Sequence, residues 1–173
     1  LSFWVSASSF SLFGVNEFAA RLPSWVLCVS CLLILRLAAK PLGIVNSLLP
    51  SALLVSSIVF FLSIGAVMTE ASLMLGITLS MVSGIYILAS EQADKRWPIL
   101  FFVGLAIGML AKGPIALVFI GVPLCFWAIV HGQIKVVWEK LHWFKGILVF
   151  IFISMPWYVL AELKTPGFIN YFI

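Results

Sequence analysis

Residues 97–130, WPILFFVGLAIGMLAKGPIALVFIGVPLCFWAIV, decide the fold. Lys112 is the only charged residue in the stretch. A helix rises 1.5 Å per residue, so crossing the hydrocarbon core takes roughly 20 apolar residues. The stretch is too long for one span, and Lys112-Gly113-Pro114 breaks it near the middle. Glycine and proline there favour a tight turn over continued helix. The pattern predicts two helices, 97–111 and 114–130, running in opposite directions.

The same pattern extends both ways along the chain. Further spans are expected at 22–39, 46–66, 71–89 and 146–163. Of the 173 residues, 64% are hydrophobic and 9% are charged, and the mean hydropathy is +1.22. A soluble domain is near half apolar and a quarter charged. One small core has no room for this much apolar surface, so lipid is expected to solvate much of it. Residues 1–13 are apolar but short and carry several serines, which suits a helix lying at the interface, or the tail of a truncated one, better than a full span. Gly14-Val15-Asn16 reads as its stop, with Asn16-Glu17 opening the next turn. The expected fold is an all-α integral membrane protein of about six transmembrane helices plus a short N-terminal interfacial helix. Residues 1–173 form one transmembrane domain. Leu1 is not methionine, and the chain closes on an apolar-aromatic run. These ends read as those of an internal fragment of a larger membrane domain.

The loops set an orientation. Those after the first, third and fifth spans, with the adjoining helix ends, hold Arg36, Lys40, Lys95, Arg96, Lys135, Lys140 and Lys145. The opposite face holds Arg21, Lys112 and Lys164. Basic loops stay in the cytoplasm, so the second group is expected on the non-cytoplasmic side. Trp25, Trp97, Trp143 and Trp157 fall near span ends, where an aromatic belt would lie. The net charge of +4 is spread over these loops and gives no nucleic-acid signature.

Charges near the hydrocarbon boundary are costly and usually face a polar cavity or a partner. Glu70, at the start of the third span, reads either as a carboxylate favoured by the helix dipole or as one lining an outward cavity. Lys112 reads either as a snorkelling lysine or as a phosphate ligand beside exposed backbone N–H groups. Arg21 lies just before an apolar run and could bridge phosphates or pair with Glu17, four positions earlier. Cys28 and Cys31 have CxxC spacing but sit in an apolar run with no second pair, and read as small lipid- or helix-facing residues. His131 and His142 are too far apart for a helical metal pair and read as interfacial. No phosphate loop, serine-nucleophile motif or zinc spacing occurs, and no cofactor is evident.

Several of these pieces together resemble a known family. Residues 10–25 contain Leu12-Phe13-Gly14 and Glu17-Phe18-Ala19-Ala20-Arg21-Leu22-Pro23-Ser24. Met68-Thr69-Glu70, Lys112-Gly113-Pro114, Pro156-Trp157-Tyr158 and Pro166-Gly167-Phe168 follow in order. This series resembles the bacterial ArnT-like glycosyltransferases, relatives of the protein O-mannosyltransferases in the GT-C superfamily. The resemblance covers essentially the whole chain. It implies a multi-pass inner-membrane enzyme that moves a sugar from a polyprenyl-phosphate donor to a lipid, protein or glycan acceptor on the periplasmic side. By carry-over, Glu70 is a supporting acidic catalytic position, Lys112 a lysine at the donor phosphate and Arg21 an arginine near the same site. The family's main catalytic Asp is expected before Leu1, and a His/Arg motif after Tyr171-Phe172. The piece alone is therefore expected to be inactive. The implied partners are the lipid-linked donor, its acceptor and membrane lipid, with no nucleic acid. A secondary transporter segment and a non-catalytic membrane assembly subunit are the alternatives. Transporters also carry intramembrane charges and broken helices.

Overall fold

The computed structural model describes residues 2–39, 42–65, 69–89 and 96–167. Leu1, Lys40, Met68, Lys95, Phe168, Tyr171 and Phe172 lie outside them. The elements in order are α1 (Ser2–Phe13), α2 (Glu17–Ala39), α3 (Leu49–Val55), α4 (Ile58–Gly65) and α5 (Glu70–Ala89). They continue with α6 (Arg96–Lys112), α7 (Ile115–Val130), α8 (Ile134–Lys140) and α9 (Trp143–Lys164). Among the described residues there is no strand.

Large apolar side chains point outward along the helices. Phe152 is 81% exposed and Ile58 77%, an arrangement that only an apolar surrounding tolerates on this scale. The protein is an all-α integral membrane protein. Three helices, α2, α5 and α9, are long and apolar enough to cross a bilayer alone. α7 is apolar but has 16 residues, and α6 has 17.

The expected span at 46–66 is not one helix. It breaks between α3 and α4 at Ser56-Ser57. Ser56 Oγ donates to the Leu53 carbonyl, and Ser57 Oγ to that of Leu54. The Ser57 N–H also turns back to Leu54 in a tightened last turn. Ser57 Oγ then accepts from the Phe60 N–H and starts the next helix. Short hydroxyl side chains compete in this way for backbone partners, and hydropathy does not register it. At 1.5 Å per residue, neither piece reaches across the core by itself.

Two other departures lie near the opposite end. The loop after α7 contains α8, and α9 starts at Trp143 rather than Gly146. His142 precedes α9 in the left-handed region, with φ 46°.

The first turn of the chain follows the sequence signals. Gly14, at φ 76°, ends α1. Asn16 Oδ1 then accepts from the Ala19 N–H at 2.7 Å and caps α2. Ser9 is buried and donates to the Ala19 carbonyl, which fastens α1 to α2.

The closest seam joins α5 to α6. Gly76 packs directly on the backbone of Gly104 and Gly108, where an added Cβ would lie 2.6 Å from the Gly108 nitrogen. A Cβ at Gly104 would meet Ser80 Oγ at 2.5 Å and its nitrogen at 2.7 Å. Ser80 Oγ donates across the seam to the Phe101 carbonyl at 2.8 Å. Small residues four apart on both helices permit this approach, which suits a bundle that packs without a hydrophobic drive between helices. One apolar core surrounds Phe101, Phe102, Ile87 and Ile120. A second joins α2, α4 and α5 through Cys28, Phe60 and Ala71. Cys28 and Cys31 are both fully buried free thiols.

Candidate functional site

The α5–α6 seam also sets the site. Glu70 lies six residues before Gly76, and Lys112 four residues after Gly108. In antiparallel helices those offsets amount to about 9 Å and 6 Å of rise, so both residues emerge at nearly one level. Gly113, at φ 68°, ends α6, and its N–H returns to the Met109 carbonyl. Lys112 is thus the last helical residue, with its stem free to turn toward α5. Its Nζ donates to Glu70 Oε1 at 2.5 Å. Both side chains remain about a third exposed, at 34% and 35%. Glu70 at a helix start and Lys112 at a helix end also suit the two dipoles.

A cavity of about 290 Å³ opens beside this pair. Phe3 and Trp4 of α1, Thr69, Lys112, and Trp157 and Tyr158 of α9 all line it. Trp4 and Trp157 meet edge to face with ring centroids 5.0 Å apart. Tyr158 Oη donates to the Met109 carbonyl at 2.9 Å, tying α9 to the last turn of α6. Ser2 and Ser72 are joined through their hydroxyls at 2.8 Å, which anchors the start of α1 to α5. A second hollow of about 270 Å³ shares Ser2, Phe3 and Thr69 with the first and reaches Pro23 and Ser24 of α2. The combination of one cation, one carboxylate and aromatic walls suits an amphipathic anion better than a bare ion.

The structure joins Glu70 to Lys112 and leaves Arg21 apart. Pro23 and Ser24 place the start of α2 at the same end of the bundle. Arg21 itself is exposed and lines neither cavity. Among the described residues it makes no ion pair, with Glu17 or otherwise. Glu162 accepts from the Gly167 N–H and serves the turn after α9. His131 stacks on Trp127 at 4.8 Å, and its Nδ1 lies 3.0 Å from the Trp127 carbonyl. Among the described residues, no three His, Cys, Asp or Glu side chains group as metal ligands would.

The aromatic lining was not assigned to the site from sequence. Trp157 stood out as part of a motif with Tyr158 and as an aromatic-belt residue, and Phe3 and Trp4 fell within residues 1–13 without being singled out. Tryptophan next to tyrosine at a helix end was the available signal, but nothing local shows that two such helix ends meet.

The chain is therefore a multi-pass helical membrane protein with an ion-paired, aromatic-walled cavity at one end. It belongs to the dolichyl-phosphate-mannose-protein mannosyltransferase family, whose model matches residues 1–172. The crystal structure of ArnT from Cupriavidus metallidurans bound to undecaprenyl phosphate superposes with a TM-score of 0.90 at 20% identity, over 99% of this chain and 32% of that one. The apo structure of the same protein gives 0.85 at 19% identity, with the same coverage. At these identities the likeness is one of fold. An uncharacterized protein of Aquifex aeolicus is 29% identical over 171 residues, which is 98% of this chain and 36% of the relative. The chain thus spans about a third of the length of these relatives.

Proposed function

We propose that this chain forms part of the outward-facing active site of a membrane glycosyltransferase that uses a polyprenyl-phosphate-linked sugar. The observation that carries the reading is Lys112, held by Glu70 beside a cavity with aromatic walls. A relative of the same fold is known bound to undecaprenyl phosphate, which supports a polyprenyl phosphate as the ligand.

In this reading the acceptor oxygen attacks the anomeric carbon of the sugar. The bond from that carbon to the phosphate oxygen breaks, and the polyprenyl phosphate leaves with the electron pair. Charge builds on the phosphate, where Lys112 stabilises it at low dielectric. Glu70 positions the ammonium before the donor arrives. The base that takes the acceptor's proton lies in the part of the longer protein outside these residues. Arg21 stands at the same end and serves the phosphate or the acceptor only if a neighbouring segment brings them to it. The site faces the periplasm, across the inner membrane from the basic loops. The acceptor is a lipid, protein or glycan.

The test is transfer from a lipid-linked sugar by the full-length parent. Lys112→Ala lowers turnover about 100-fold, the size of one lost oxyanion contact, with an unchanged melting temperature. Wild-type turnover in that variant removes Lys112 from the mechanism.

A further inference from the structure

A crevice of about 300 Å³ lies between α6 and α9 at the end of the bundle away from Lys112. Its walls are Pro98 and Ile99 on one side and His142, Lys145 and Gly146 on the other. Gly146 packs against the Phe102 ring, where a Cβ would collide, so the two helices are held close beside the crevice. The lining is apolar except for His142 and Lys145. Both are exposed, and neither side chain makes a hydrogen bond or ion pair among the described residues. A cation at the edge of an apolar slot is half of an amphipathic contact.

The depth of the crevice is marked by aromatic residues on either side. Trp97 precedes Pro98 and meets Tyr86 in a tilted ring contact with centroids 4.2 Å apart. Trp143 follows His142 and stacks on Trp138 at 5.2 Å. Tryptophan and tyrosine gather at the headgroup level of a bilayer. The surrounding charge is mostly of one sign. Arg96 opens α6, and Lys140 donates to the Ile87 carbonyl at 3.2 Å, while Glu139 is the one described carboxylate on α8. The first turn of α9 carries no acidic residue, so the dipole there remains uncompensated.

We propose that this crevice binds an anionic phospholipid, with its phosphate on Lys145 and His142 and its glycerol and first acyl carbons against Pro98 and Ile99. Charge complementarity selects the headgroup. The apolar wall selects a lipid over free phosphate, which would lose hydration on that side without replacement. The proposal rests on the membrane fold and not on the transferase reading, and its readout is binding rather than turnover.

The experiment uses the purified full-length parent with phosphatidylglycerol or phosphatidylcholine as probe, and native mass spectrometry to count retained lipid. Wild type retains phosphatidylglycerol in preference to phosphatidylcholine. Lys145→Gln weakens phosphatidylglycerol retention about fivefold, as expected for one basic residue at a membrane surface, and leaves phosphatidylcholine unchanged. Lys145→Arg keeps the preference. His142→Gly lowers it further in the double variant, and glycine suits the φ of 46° there, so folding is preserved. Equal retention of the two lipids by wild type overturns the proposal, as does an unchanged preference in the double variant. Displacement of the lipid by inorganic phosphate at equal concentration also overturns it, since free phosphate would then be the occupant. A crevice filled by another segment of the longer protein gives the unchanged-preference result.

Discussion

At one end of the bundle Lys112 sits against Glu70 beside a walled cavity, each about a third exposed. At the other end Arg36 and Lys135 stand exposed, without ion pairs among the described residues. The contrast follows from solvation. Charges such as these two keep their water and need no partner, and with the other basic loop residues they act on topology through their sum. A charge at the edge of a helix bundle loses part of its hydration, so its position is specified by a counter-charge. The first kind tolerates exchange, and the second does not.

That contrast can be broken experimentally, beginning with its strongest consequence. Exchanging the pair as Glu70→Lys with Lys112→Glu keeps an ion pair but reverses its field toward the cavity. Transfer by the full-length parent should fall about 100-fold or more, while stability falls by only about 1–2 kcal/mol, because each exchanged charge then opposes its helix dipole. Recovery of transfer would make the pair purely structural. Next comes the seam that brings the pair together. Gly104→Ala forces a Cβ against Ser80 and should cost roughly 1–3 kcal/mol, as overpacking does, read as a lower melting temperature in detergent. An unchanged melting temperature would mean the helices separate without penalty. Glu70→Gln keeps the shape but releases Lys112. Turnover should drop about tenfold through misplacement, with stability changed by about 1 kcal/mol or less. At the opposite end Lys135→Gln should stay within about 0.5 kcal/mol and leave turnover unchanged. A large effect there would end the distinction between the two ends.

Much of the fold was legible because lipid imposes a simple rule on sequence. The turn at Lys112-Gly113-Pro114 was visible as a glycine and proline between apolar runs, and α6 does end at Lys112. The stop at Gly14 and the new turn opening at Asn16-Glu17 were visible for the same local reasons, although the span was expected only from residue 22 and α2 begins at Glu17. The break at Ser56-Ser57 was not. Serine is unremarkable in an apolar window, and its effect depends on hydroxyls turning back to Leu53 and Leu54. The seam was missed as well, although Gly76 with Ser80 and Gly104 with Gly108 carry the four-residue spacing of close helix contacts. At the site, Glu70 and Lys112 stood out as costly charges near a hydrocarbon edge. Arg21 stood out equally, yet it lines neither cavity.

The sequence by itself determined that the chain is helical, lives in a membrane and keeps most of its basic residues at one end. Each of those follows from local composition and the free energy of moving side chains out of water. Only the tertiary structure decided that Lys112 meets Glu70, that Trp4 meets Trp157, and that Arg21 stays apart. Those outcomes depend on how closely α5 and α6 approach and where α1 and α9 lie against them. Contacts between residues 42 and more than 150 positions apart are set by packing, which no local window of sequence contains.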